Sequence, residues 1–158
     1  MNARYSLLTG MVFALLGGTA VAQTCANPIP IVTTALPYST TNNSCAYNDN
    51  MDVMWGGSVY TPGREVVYQV RSFIRRAPNP PAMRFILSPI SNYDPTVFAC
   101  QQCGALAMCI DGDDTFGPGG TETLSISAQT QSYFLIVDST SIGSYDNCGQ
   151  YALQAYRQ

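Results

Sequence analysis

Apolar and polar residues alternate with a period of two along several short stretches of this chain. From Glu65 to Phe73, Val66, Tyr68 and Val70 share one face and Glu65, Gln69 and Arg71 the other, the pattern of a strand with one buried side. Met83–Leu87 repeats it through Met83, Phe85 and Leu87, Thr123–Ala128 through Leu124, Ile126 and Ala128, and Gln150–Tyr156 through Tyr151, Leu153 and Ala155. Tyr133–Val137 is instead almost continuously apolar, as a central strand covered on both faces requires. Ile29–Thr34, Thr96–Ala99 and Ala105–Ile110 are further short strand candidates. Between them, 38–63 (Thr, Asn, Asp and Gly, ending in Pro62-Gly63), Arg75–Ala82 with its three prolines, and Asp111–Gly120 with its four glycines read as loops. No stretch after residue 22 has the 3.6-residue period of an amphipathic helix. About eight short strands at regular spacing predict an all-β antiparallel sandwich of jelly-roll type.

The first 22 residues break this pattern. Arg4, the apolar run Leu7–Leu16 and Ala20-Val21-Ala22 before Gln23 have the layout of a secretory signal peptide, with an apolar region too short to span a bilayer. Residues 23–158 are then one exported domain, secreted or periplasmic, with no membrane span. Export changes the reading of Cys25, Cys45, Cys100, Cys103, Cys109 and Cys148, all of which follow the cleavage site. In an oxidising compartment six cysteines predict three disulfides rather than a zinc site or a redox Cys-x-x-Cys at 100–103. Cys25 is expected to pair with Cys45, and the other four among themselves.

Composition then narrows the chemistry. The chain has no histidine and no lysine, so histidine-based nucleophile relays, imidazole zinc sites and Schiff-base lysines are excluded. After loss of Arg4, six arginines face ten acids, a formal charge of −4 that argues against nucleic acid. Arg71, Arg75, Arg76 and Arg84 form the nearest approach to a basic patch and read as a solvated strand end and loop.

Several segments in order carry a family likeness: Arg64-Glu65-Val66-Val67-Tyr68, then Asn92-Tyr93-Asp94-Pro95-Thr96-Val97-Phe98. Asp111-Gly112-Asp113-Asp114, the strand Tyr133–Asp138 and Cys148-Gly149-Gln150-Tyr151-Ala152-Leu153 complete the set. Over about residues 25–158 this resembles the bacterial pre-peptidase C-terminal domain and, more distantly, the collagen-binding modules of secreted collagenases. The resemblance implies a jelly-roll-like sandwich that serves secreted peptidases as an accessory module without catalytic residues. Here no peptidase domain accompanies it, and Ser139 stands where the family often has glycine.

Two groups of residues are candidate sites. Asp111, Asp113 and Asp114, with Asp94 and Asp138 brought near by folding, could relieve their mutual repulsion by binding calcium through oxygen ligands; a solvated acidic turn is the competing reading. Phe116 stands where an EF-hand loop needs glycine, so an EF-hand is excluded. Trp55, with Tyr47 and Tyr60 in the same segment, could stack on a sugar ring or a peptide, or Trp55 could cap the core. The expected function is a non-catalytic binding module for an extracellular protein or polysaccharide, needing no cofactor beyond that candidate calcium. A structural component of the cell envelope or matrix is the alternative, and a hydrolase with paired carboxylates a remote one.

Overall fold

The computed structural model describes residues 24–56, 58–59, 61, 63–71, 82–115, 117–127, 132–140 and 147–158. The expected signal peptide and the expected loop Arg75–Ala82, apart from Ala82, lie outside these residues. Eleven strands are described: β1 (Ile29–Val32), β2 (Tyr38–Asn43), β3 (Asp52–Trp55), β4 (Ser58–Val59), β5 (Val66–Arg71) and β6 (Met83–Pro89), followed by β7 (Pro95–Cys100), β8 (Leu106–Asp113), β9 (Glu122–Ile126), β10 (Tyr133–Ser139) and β11 (Gln150–Arg157). They form two sheets, one of seven strands ordered β1-β5-β10-β7-β8-β3-β4 and one of four ordered β2-β11-β6-β9. Most pairings are antiparallel; β1 with β5 and β3 with β8 are parallel. The jelly-roll-like sandwich expected from the alternation is the fold observed.

Packing between the sheets follows the period of two. Val66, Tyr68 and Val70 of β5, Val97 and Ala99 of β7, and Tyr133, Leu135 and Val137 of β10 meet Phe85 and Leu87 of β6, Leu124 and Ile126 of β9, and Tyr151, Leu153 and Ala155 of β11. Phe85 and Tyr133 meet edge to face, with centroids 6.3 Å apart. The hydroxyls of Tyr68 and Tyr151, buried on facing sheets, satisfy each other at 2.9 Å. Burial drives the Tyr68 phenol up to about 12, so the pair stays neutral and hydrogen-bonded at any physiological pH.

The large sheet is covered on its other face too. Val67, Phe98, Cys100 and Ile136 point away from the small sheet and pack under Met51, Val53 and Ala107, with Cys25, Cys103 and Cys109 completing the layer. The expectation that β5 has one buried side is therefore corrected: Val67 is fully buried on the far face and Glu65, just before the strand, is buried as well. Segment 38–63 is corrected likewise, since it contains β2, β3 and β4 rather than loop alone. β2 (Tyr-Ser-Thr-Thr-Asn-Asn) is a polar edge strand whose residues are at most half-buried, so it has no apolar period to read.

All six cysteines are bridged, as Cys25–Cys103, Cys45–Cys148 and Cys100–Cys109. The expected Cys25–Cys45 pair does not form. Cys45 follows β2 at the end of the sandwich where Ser44 and Gly149 exchange hydrogen bonds, which puts Cys148 beside it. Cys25 lies in the layer over the outer face of the large sheet, where Cys103 and Met51 meet it. Three disulfides and no free thiol belong to an oxidising compartment. Among the described residues no helix is long and apolar enough to cross a membrane.

Candidate functional site: the acidic end and the open face of β8

Most of the carboxylates gather at one end of the sandwich, where β10 finishes, β7 starts and β8 finishes. β8 runs on through Asp113, so Asp111 and Asp113 stand on a strand rather than in the loop expected there. Asp113 binds the Thr115 hydroxyl through Oδ1 and the Thr123 amide through Oδ2 at 2.6 Å. Glu122, fully buried, accepts from the Thr115 amide at 3.0 Å. Asp114 accepts from the Thr140 hydroxyl at 3.0 Å. Asp111 accepts from the next amide, that of Gly112, at 2.9 Å. Burial raises the Asp94 and Asp114 carboxyls above the usual range, and their mutual repulsion adds to the rise at Asp94 and the charge of Asp113 to that at Asp114.

Asp138 lies apart from this group, sealed below it. It is fully buried, its Oδ1 accepts from the Ser139 amide at 2.7 Å, and its backbone oxygen accepts from the Tyr93 hydroxyl at 2.8 Å. Its Oδ2 has no hydrogen-bond partner among the described residues. Burial pushes this carboxyl up to about 8, against the opposing pull of the Ser139 amide and the Thr61 hydroxyl, and the charge of Glu65 pushes the same way. Glu65 itself is raised by burial although both its oxygens accept from the Asn50 amide at 3.0 Å. Gly63 closes the site: a Cβ there would stand 2.7 Å from Asp138 Oδ1 and 2.6 Å from Ser139 Cβ, both too close for any side chain.

The structure thus brings Asp94, Asp113 and Asp114 to one end and sets Asp138 with Glu65 beneath them. Among the described residues no three acids, cysteines or histidines stand where they could hold one metal ion. Tyr47 is half-buried against the main core and donates to Asn42 Oδ1 at 3.2 Å. Trp55 ends β3, paired with Ser58 of β4, and Tyr60 lies outside the described residues.

Sequence reasoning missed the open face of β8. Leu106, Met108 and Ile110 are 48, 56 and 41 % exposed, while Ala107 between them is fully buried. The alternation was present in the sequence, but apolar residues on a strand are ordinarily assigned to the core. The strand also changes register along its length. Cys100 faces Cys109 and Ala99 faces Asp111, so β8 spends two residues where β7 spends one. Such a step bends the strand and increases its twist. β8 packs against β9 of the small sheet, the Thr123 amide donating to Asp113 beyond the bulge, while Leu106, Met108 and Ile110 are open to solvent.

No family model and no curated protein matches the chain. Among solved structures, it is distantly similar to the pre-peptidase C-terminal domain of a collagenase from Bacillus anthracis, with 12 % identity and a TM-score of 0.48 over 82 % of this chain and 95 % of that one. A periplasmic inhibitor of g-type lysozyme from Aeromonas hydrophila is similar at 12 % identity and a TM-score of 0.45, over 83 % of this chain and 96 % of that one.

Proposed function

We propose that this chain is an exported, non-catalytic binding module whose ligand is an extracellular or periplasmic protein. The observation that carries the reading is the row of three exposed apolar side chains on β8, set on a sandwich braced by three disulfides. A rigid sheet face with clustered exposed apolar residues is the usual form of a protein-contact surface. The acids favour the same reading. A carboxylate hydrolase needs one ionised and one protonated carboxyl facing a shared cleft. Here Asp113 and Glu122 are engaged by amides, Asp114 by a hydroxyl, and Asp138 is closed in under Gly63.

The test is to present the purified, oxidised domain with the exported protein fraction and with polysaccharides, measuring both retention and turnover. Retention of a protein without turnover is the expected result. Hydrolysis that disappears in Asp138→Asn while the fold survives would replace the reading with the enzymatic one.

A further inference from the structure

We infer that the open face of β8 docks a cationic polypeptide segment whose apolar side chains alternate with basic ones; the inference rests on the binding-module reading. Leu106, Met108 and Ile110 project at alternate positions, about 7 Å apart along the strand. That spacing matches every second side chain of another extended segment. β8 is an inner strand of the sheet, paired with β3 through Leu106–Met108 and with β7 through Cys109 and Asp111–Asp113, and the Gln101 amide donates to the Met108 carbonyl. With β8 set between β7 and β3, a partner engaging the three side chains lies across the face, held by side chains rather than by strand addition.

Charge decides the kind of partner. Exposed Asp52 is the register neighbour of Leu106 at one end of the row, and Asp111 and Asp113 follow Ile110 at the other. The described arginines are placed elsewhere. Arg64 donates to the carbonyls of Cys45 and Tyr47, Arg71 to Gln69, and Arg157 to the Thr33 carbonyl, while Arg84 pairs in register with Tyr156. The row is thus an apolar strip with acid at both ends and no described base beside it. A second copy would bring acid against acid, and an anionic lipid surface would be repelled, whereas Lys or Arg flanking an apolar anchor finds a counter-charge at each end. Like charges set against each other would also exclude acidic partners.

The experiment uses the oxidised domain and three labelled synthetic peptides, alternating Leu-Lys, Leu-Glu and Ser-Lys, read by fluorescence anisotropy. The Leu-Lys peptide is expected to bind and the other two to bind far more weakly. Met108→Lys should lower Leu-Lys affinity by about tenfold or more, because it sets like charge against the peptide. Ile90→Lys, which adds the same charge at another exposed apolar position, should leave the affinity within about twofold. Equal weakening by both variants, equal binding of Leu-Glu, or no peptide binding would overturn the inference. So would a dimer of the wild type that Met108→Lys dissociates, or capture by phosphatidylglycerol vesicles that Met108→Lys abolishes. If an exported protein is retained equally by wild type and Met108→Lys, the binding reading stands and this inference falls. If nothing exported is retained and no peptide binds, both fall.

Discussion

β10 and β8 lie two places apart in the same sheet, separated only by β7, and use apolar residues in opposite ways. In β10 both faces are covered: Tyr133, Leu135 and Val137 enter the space between the sheets, and Ile136 lies under the layer that Cys25–Cys103 staples down. In β8 one face is sealed by that same layer through Ala107 and Cys109, while the other stands in water. Two strands of one sheet thus divide into one buried on both faces and one whose exposed apolar side chains, Leu106, Met108 and Ile110, contribute little to the fold. Surface that contributes little to folding is available for binding.

The largest effect expected from breaking this contrast is loss of the staple. Cys25→Ala with Cys103→Ala opens a bridge spanning 78 residues and uncovers the outer face of β10, at a cost of about 4 kcal/mol. Urea unfolding measures it, and a loss no larger than for a surface variant would mean that the outer layer does not hold β10. Next, Leu135→Ala on β10 removes a fully buried side chain and costs about 3 kcal/mol. Met108→Ala on β8 should change stability by less than about 0.5 kcal/mol. Equal losses would erase the distinction between the two strands.

A pH-dependent effect belongs to Asp138 at the end of β10. Its folded pKa of about 8 lies above the ordinary 3.8, so the native state holds the proton more tightly than the unfolded chain. Its contribution is therefore full below about pH 4 and is lost as pH rises through about 8. Wild-type urea midpoints should fall between pH 5 and pH 9, and Asp138→Asn, which cannot titrate, should flatten the fall. Raised Glu65 keeps part of the slope at the acid end of that range. Identical slopes would show that Asp138 is not sealed as described. The smallest effect concerns calcium. With Asp111, Asp113, Asp114 and Glu122 engaged internally, no three acids placed to share one ion among the described residues, and Asp138 largely protonated at neutral pH, calcium and chelator should leave the melting temperature unchanged. A rise with calcium would restore the cation expected from the sequence.

The strands that face each other across the sandwich were legible because their alternation is strict. Tyr68, Phe85, Leu124 and Leu153 all fall inside where the period of two puts them, and Leu135 and Ile136 are buried on opposite faces as the continuous apolar run of β10 requires. β2 was not legible, because Ser39 to Asn43 have no apolar face and the strand is held by pairing with β11. The disulfide pairing was not legible either, since it depends on which side of the large sheet Cys25 reaches. In the acidic cluster the residues were legible but not their use: Asp113 reads as a ligand in the sequence and serves in the fold to fasten Thr115 and Thr123. The β8 row was visible as alternation, but its exposure depends on how far a four-stranded sheet covers a seven-stranded one, which no residue type announces.

Methionine oxidation tests the central claim within one molecule, because Met108 is 56 % exposed while Met51 and Met83 are each 5 %. Thioether oxidation follows access to solvent. Brief peroxide treatment of the native domain, read by peptide mass spectrometry, should convert Met108 well before Met51 and Met83, and the Leu-Lys peptide should shield it. Oxidation of all three at one rate, or a Met108 that the bound peptide leaves unshielded, would contradict the assignment of β8 as the docking face.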